Sequence, residues 1–333
     1  MSQSSSITIA VDAVGGDFAP KEVLAGVALA IARDPEVHVV LTGPADVVEP
    51  FAASHPGRVS AHATTEIIAM DEHPATAVRS KKDSSIVVGC RLVREGEADA
   101  FFSAGSTGAA MAAATIVMGR IKGVQRPAIA TVLPTACEPA VLLDVGANAD
   151  CKPEYLVQFA QMGAEYARVV LGVEKPRIGL LNIGEEPTKG SQLAQDAHAA
   201  IAEHVEGFIG NIEGRDVTSG EADVIVTDGF TGNVALKLLE GTSKTLLSQM
   251  KEAMTSSVIN TLAAAVLKPS LNKLKERLDP DTYGGAPLLG VNGVCIIAHG
   301  SSKATAVCNG ILVAARAVRG GLTARIAESI ASE

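Results

Sequence analysis

Three loops of this chain combine glycine with an ammonium, amide or hydroxyl group in an order that suits an anion. In "NIGEEPTKGSQLAQDAHAAI" (182–201) Lys189 precedes Gly190 and Ser191, a predicted helix N-cap, so its ammonium would stand beside the free N–H groups of a helix start. A cation and such N–H groups together make an anion site; the alternative is a solvated surface lysine, the usual fate of that residue. "DGFTGNVALKLLEG" (228–241) repeats the logic with Thr231, Gly232 and Asn233 at a helix entry, and "SAGSTGAAMAAA" (103–114) presents Ser106, Thr107 and Gly108 at another. For Asn233, Ser106 and Thr107 the competing role is plain helix capping. A fourth loop, "VDAVGGDFAP" (11–20), sets Asp12 and Asp17 on either side of Gly15 and Gly16, directly after an apolar run. Either the glycines let backbone N–H groups approach a ligand with the two carboxylates at the rim, or they make a tight turn and Asp17 caps a helix starting near Pro20 and Lys21.

Several familiar chemistries lack their residues. "GEEPTKGS" (184–191) reverses the Gly-Lys order of a phosphate-binding P-loop, and "DAVGGDFAP" is not the G-x-G-x-x-G of dinucleotide sites. The seven histidines show no H-E-x-x-H or other tight ligand spacing, which argues against a catalytic zinc. "AGSTGA" is not the G-x-S-x-G elbow of a serine nucleophile. Cys90, Cys137, Cys151, Cys295 and Cys308 form no C-x-x-C pair and are odd in number, as expected of reduced structural thiols in a cytoplasmic protein.

The elements that must position these loops are legible as a repeated pattern. Seven times an apolar, β-rich run stops at a small polar loop: 9–17, 39–44, 100–108, 141–148, 179–186, 223–233 and 294–302. Runs that are apolar throughout suit strands covered on both faces. Helical segments alternate with them, most clearly 154–171, where Leu156, Phe159, Ala160, Gly163, Ala167 and Val170 make one stripe. The pattern predicts a single α/β domain over the 333 residues with a doubly wound, mostly parallel sheet. In such a sheet ligands lie beyond the carboxyl ends of the strands, where all seven stops are expected to gather. The stretch from Val234 to Leu278 breaks the alternation, being helical in character, and predicts an inserted hairpin over 237–281 that contacts a partner subunit or another surface. Hydrophobic residues make up 47% of the chain and charged residues 20%, a folding composition, while a net charge of −9 argues against a nucleic-acid binder with a broad basic face. The start "MSQSSSITIAVD" has neither the basic nor the apolar region of a signal peptide, and no apolar run reaches the roughly eighteen residues of a membrane span.

"VDAVGGDFAPKEVLAG", "MDEHPATAVRSKKDSS" (70–85), "SAGSTGA", "DVGAN" with "QFAQMGAEYA" (158–167), "LLNIGEEPTKG", "DGFTGNVALK" and "GGAPLLGVNG" (284–293) together resemble the bacterial phosphate acyltransferases called PlsX, in order and from about Ile7 to Val318. Two positions depart from the family pattern: Val14 stands where methionine is usual, and Ser106, which lacks an amide, where asparagine is usual. The resemblance implies a sheet like that of the isocitrate and isopropylmalate dehydrogenases and of phosphotransacetylase, a homodimer, and no metal or organic cofactor. It implies transfer of an acyl group from acyl carrier protein to inorganic phosphate, the acyl phosphate then passing to a membrane enzyme of phospholipid synthesis. Catalytic weight then falls on Lys189 and Asn233, with Asp12, Gly15, Gly16, Asp17, Ser106, Thr107, Gly108, Gly190, Thr231 and Gly232 around the substrates. His299 in "AHGSS" is a candidate proton donor to the departing thiolate or else a core histidine, and Arg79, Lys81 and Lys82 are candidate docking charges for the acidic carrier protein or else a solvated basic face. In "VLKPSLNKLKERL" (266–278), Leu267, Leu271, Leu274 and Leu278 form a stripe flanked by lysines and an arginine, which predicts peripheral attachment to an anionic membrane; packing within the hairpin or across a dimer is the alternative. The competing functions are a metal- and NAD-dependent decarboxylating dehydrogenase on a similar sheet, for which only scattered acids are available, and a non-catalytic membrane-surface scaffold that binds acyl carrier protein.

Overall fold

A computed structural model describes residues 6–278 and 280–331, without the side chains of residues 263, 272–278 and 280. Among the described residues eleven strands form one sheet: β1 (Ile7–Asp12), β2 (Val37–Gly43), β3 (Val59–Ala63), β4 (Ala100–Ser103), β5 (Ala128–Leu133), β6 (Ala140–Leu143), β7 (Ile178–Asn182), β8 (Phe208–Glu213), β9 (Val224–Val226), β10 (Ala286–Leu289) and β11 (Val294–Ile297). The helices that matter below are α1 (Lys21–Arg33), α2 (Ala45–Ser54), α3 (Pro74–Ser80), α4 (Ser85–Glu95), α5 (Thr107–Ala113), α6 (Pro153–Tyr166), α7 (Gln192–His204), α8 (Gly229–Thr255), α9 (Val258–Leu278) and α10 (Ala304–Arg319). All seven apolar runs are strands. Their side chains divide between two buried clusters: Ile7, Ile9 and Val11 of β1 belong to the one that includes α1 and α10, and Ala10 to the one that includes α4 and α5. That two-sided burial is why the runs show no alternation of apolar and polar residues.

The sheet order is β3-β2-β1-β4-β11-β10-β5-β6-β9-β7-β8. Pairing is parallel from β3 to β11 and from β6 to β8, but antiparallel at β11–β10, β10–β5 and β5–β6. Three reversals make the two parallel halves run in opposite directions. The expectation that all seven loops gather at one end is therefore wrong: the loops after β1, β2, β4 and β11 leave one way, and those after β6, β7 and β9 the other. Two of the reversals are local: β5 joins β6 through residues 134–139 and β10 joins β11 through 290–293, connections too short for the dozen or more residues of a parallel crossover. The third, which decides the opposed direction, is the long-range antiparallel pairing of β10 with β5.

Both halves nevertheless stop near the middle of the sheet. Ala286 is opposite Ile297, Leu288 is opposite Ile129, and Ala130 is opposite Leu143. Following that register, the last residues of β11 and β6 stand within about one residue, ~3.3 Å, of the same level. A cleft over β10 and β5 can thus be reached from loops of both halves.

The segment 154–171 is α6, continued through residues 167–171 by a wider π-helical turn. The predicted hairpin is the pair α8 and α9, which pack together, with the turn at residues 256–257. Pro269 lies inside α9.

α1 and α10 approach so closely that a side chain on Gly26 would overlap the Val307 Cβ and lie 2.8 Å from the Ala304 carbonyl oxygen. Gly26→Ala should therefore lower the thermal unfolding temperature: overpacking costs about 1–3 kcal/mol, more than the roughly 1 kcal/mol gained in helix propensity. Gly241→Ala, at a position in α8 with open space around it, should leave stability unchanged or raise it by up to about 1 kcal/mol. Calorimetry of the two variants checks both signs.

Candidate active site

β1 ends in Asp12, which is buried and accepts a hydrogen bond from the Ser103 hydroxyl at 2.7 Å and one from the Val14 N–H at 3.2 Å. Burial raises its carboxyl above the ordinary value, opposed by hydrogen bonds from Ser103, Ser85, Val14 and Gly15. Gly15 lies against the loop after β4, where any Cβ would sit 2.7 Å from the Gly105 nitrogen, and Gly16 takes a φ of 106°. The Asp17 N–H donates to the Gly300 carbonyl at 2.7 Å, tying in the loop after β11. Pro20 holds the cap position of α1 with no side-chain cap bond, so the alternative role of Asp17 as that helix's cap does not hold. Asp12, Gly15, Gly16, Asp17 and Ser106 line one cleft of ≈ 480 Å³, whose opposite wall is Ile67, Ile68 and Met70.

Ser106 is the N-cap of α5, its Oγ accepting from the Ala109 N–H at 3.4 Å, so the capping role is part of its work. Gly108 lies against α3, where a Cβ would come within 2.6 Å of Pro74 Cγ. The next residue after Ser106, Thr107, lines a second and larger cleft of ≈ 1120 Å³ together with Ile129, Thr131, Val145, Asn233, Lys237 and His299. Ile129 and Thr131 are two apart on β5 and so share one face. This cleft is the one over the middle of the sheet.

Asn233 reaches it from the start of α8. The cap of that helix is Asp228, whose carboxylate accepts from the N–H groups of Phe230 at 3.0 Å and Thr231 at 2.9 Å and from the Thr231 hydroxyl at 2.7 Å. Capping is therefore not the job of Asn233, and the Thr231 hydroxyl is already committed. The Asn233 amide donates one hydrogen bond to the Val145 carbonyl at 2.9 Å. Gly232 is needed for the approach, since a Cβ there would overlap the Asp144 carbonyl oxygen.

Asp144 is the functional residue that reading for loops missed. It is fully buried after β6 and accepts from the N–H groups of Ile129 (3.1 Å), Gly146 (3.2 Å), Ala147 (3.0 Å) and Asn148 (2.7 Å) and from the Asn148 side-chain amide (2.8 Å). Burial pushes its carboxyl above the ordinary value while the donors from Ala147 and Asn148 pull it back. Its effect is to shape residues 145–148 so that the Val145 carbonyl faces Asn233. The signal in the sequence was "DVGAN", an acid that leaves a strand into a glycine turn and has an amide four residues on.

Lys189 is exposed on the loop after β7, its N–H bonded to the Glu186 carbonyl at 3.0 Å. Gly190 takes a φ of 89° against Asn182, and Ser191 caps α7 through the Ala194 N–H at 3.3 Å. The loops that carry Lys189 and Asn233 leave the same end of the neighbouring parallel strands β7 and β9. Lys189 and Gly190 line neither cleft. Among the docking charges, Lys81 is bonded to Glu72 at 2.7 Å and to the Ile67 carbonyl at 2.8 Å, whereas Arg79 and Lys82 are exposed. Cys90, Cys295 and Cys308 are buried, burial pushing the Cys295 thiol up to about 12, but Cys137 is exposed, unlike a core thiol.

Against known proteins, residues 7–325 match the family described as "Fatty acid synthesis protein". The chain is 50% identical over 325 residues to the phosphate acyltransferase of Desulfitobacterium hafniense (strain DSM 10664 / DCB-2), covering 97% of each chain. It is 51% identical over 326 residues to that of Heliobacterium modesticaldum, again over 97% of each. The chain belongs to the phosphate acyltransferase family. Its fold is shared with solved phosphotransacetylases: that of Streptococcus pyogenes superposes with a TM-score of 0.63 at 16% identity over 94% of each chain, and the EutD phosphotransacetylase of Staphylococcus aureus with a TM-score of 0.60 at 17% identity over 94% of this chain and 95% of that one. The mostly parallel α/β sheet expected from the apolar runs is the fold of this group.

Removing the Asp144 carboxylate leaves buried N–H groups without acceptors, so Asp144→Ala should cost on the order of 3 kcal/mol of stability. Urea unfolding measures it. A loss below about 1 kcal/mol would mean that the 145–148 loop holds its shape without that carboxylate.

Proposed function

We propose that the chain transfers a fatty acyl group from the thioester of acyl carrier protein to inorganic phosphate, giving acyl phosphate for phospholipid synthesis. The observation that carries this reading is the cleft over β10 and β5, where Asn233, held by Val145, meets Thr107 and His299 beside glycine-rich loops. Near-full-length kinship to phosphate acyltransferases supports it. Phosphate is already a competent nucleophile near neutral pH, so the protein must desolvate and aim it rather than activate a side chain. A phosphate oxygen attacks the thioester carbonyl, the C–S bond breaks, and the carrier thiol leaves.

In this reading Lys189 pairs with phosphate from the neighbouring loop, moving over the cleft when substrate binds. Asn233 has one amide N–H on the Val145 carbonyl and the other free for phosphate or for the oxyanion that forms on attack. The dehydrogenase and scaffold alternatives gain no support from the family match. The hairpin's role is as a surface contact, either across a homodimer or with membrane, at which acyl phosphate is handed on.

For that contact α9 carries exposed apolar side chains before the predicted stripe as well. Leu267 is 52% exposed and Leu271 half-buried, while the side chains of Leu274 and Leu278 lie outside the described residues. Val258, Leu262 and Val266 fall at i, i+4 and i+8 on one face with Ile259 beside them, 66–80% exposed. Lys268 is exposed at the end of that run. No helix of the described residues is long and apolar enough to cross a membrane.

Carrier thiol should be released from acyl carrier protein thioester only when phosphate is present, and phosphate-independent release would overturn the assignment. Lys189→Ala should fold normally and lose roughly 10²-fold or more in turnover, the scale of removing one charge-stabilising donor. Asn233→Asp should be worse than Asn233→Ala, since it sets a carboxylate against both phosphate and the Val145 carbonyl; if Asp is the milder change, the amide does not face an anion. Binding to anionic vesicles should be weakened by salt and by Ile259→Glu with Leu262→Glu, with turnover on soluble carrier protein largely kept. Dissociation of that double variant into monomers would instead assign this face to a dimer.

A further inference from the structure

His299 lies on the loop that follows β11 and lines the same cleft as Asn233 and Thr107. Its Nδ1 accepts the backbone N–H of Ser301 at 3.2 Å and stands 2.8 Å from the Ser301 hydroxyl. A backbone N–H can only donate, so Nδ1 is an acceptor and the proton of the neutral ring sits on Nε2. A proton on Nδ1 would point at the Ser301 N–H. Ser301 is not part of the cleft wall, so the two residues do not form a nucleophile and base facing substrate. Nε2, on the opposite edge of the ring, has no hydrogen bond to any described residue.

We infer that His299 is a catalytic hydrogen-bond donor, a neutral imidazole whose Nε2–H binds an anionic oxygen in the cleft, either on phosphate or on the thioester carbonyl as it is attacked. This rests on the phosphate acyltransferase reading of the site. It replaces the expectation that His299 protonates the leaving thiolate, a task that needs a second ring proton where the Ser301 N–H already points. The reaction balances without such an acid: the C–O bond to phosphate forms, the C–S bond breaks with its electron pair going to sulfur, and the thiolate takes its proton from water. The charged groups on the same cleft wall are Lys237, Glu240 and Asp281. Lys237 and Glu240 pair with each other at 2.8 Å, which leaves the pair no net charge to offer an oxyanion. From the other side, the Asp17 carboxylate lies near Gly300 on the same loop, and an anion there does not stabilise a second anion. A neutral donor is what this wall can supply.

The test compares three variants, because the amide of glutamine reaches where Nε2 stands and that of asparagine where Nδ1 stands. With acyl carrier protein thioester and inorganic phosphate, His299→Ala and His299→Asn should each lose about 10²-fold in kcat, and His299→Gln should stay at least tenfold more active than either. Glutamine as poor as alanine, or all three variants at native activity, would each overturn the inference. Should the native chain show no phosphate-dependent release of carrier thiol, the proposed function fails, and long-range 1H–15N NMR of the ring then tests the donor by itself. An Nε2–H tautomer at pH 7.5 supports it, and an Nδ1–H tautomer or an imidazolium overturns it. The side chain is exposed and bonded only within its own loop, so none of these substitutions removes a core contact.

Discussion

At the end of β6 one buried carboxylate gathers four backbone N–H groups and an amide, and the geometry of the large cleft follows from that arrangement. Asp144 draws residues 145–148 into a tight turn and also bonds the Ile129 N–H of β5, so the loop is fixed to the strand that floors the cleft. The turn presents the Val145 carbonyl to Asn233, and the first turn of α8 can come that close only because residues 229 and 232 are glycines. A carboxylate buried this deeply is tolerable because its lone pairs are almost fully used. The same density of bonds makes the loop stiff, as the donor role proposed for Asn233 would require.

The second constraint is the pair of short connections at the centre of the sheet. Residues 134–139 and 290–293 force two antiparallel pairings, and the third, β10 against β5, joins segments far apart in the chain; that odd reversal makes the two parallel halves meet head on instead of lining up. A doubly wound sheet of one direction places its ligand beyond one edge. Here the halves stop at nearly the same level over β10 and β5, and each contributes side chains: Thr107 and His299 from one, Asn233 and Val145 from the other. The smaller cleft around Asp12 adjoins through Ser106 and Thr107, offering glycine N–H groups on one wall and Ile67, Ile68 and Met70 on the other. The proposed substrates, an acyl thioester and a phosphate, one apolar and one anionic, would need surfaces of those two kinds.

How legible each element was depended on its place in the sheet. The seven strands found as apolar runs include none of the edges. β3 ("VSAHA") and β8 ("FIGNIE") stand at the two ends of the sheet order, have one side unpaired, and carry exposed or polar residues that hide them from a search for continuous burial. β10 contains Pro287, which argues against a central strand, and β5 is apolar but has no glycine stop. The caps Ser106 and Ser191 were legible because capping is local; Asp228 was passed over for Asn233 because a motif read as a string does not say which residue starts the helix.

By itself the sequence determined the strand-forming runs, the glycine turns, two helix caps, the helical hairpin and the family kinship, since each depends on neighbours along the chain or on motif order. The tertiary structure alone decided that positions 107, 233 and 299 share one cleft, that Lys189 stands outside it, and that Asp144 is the residue that sets Asn233. Those facts depend on strand direction and register, which are fixed by pairing between segments far apart in the chain; a reversal at β10 and β5 changes which loops meet without changing any local pattern.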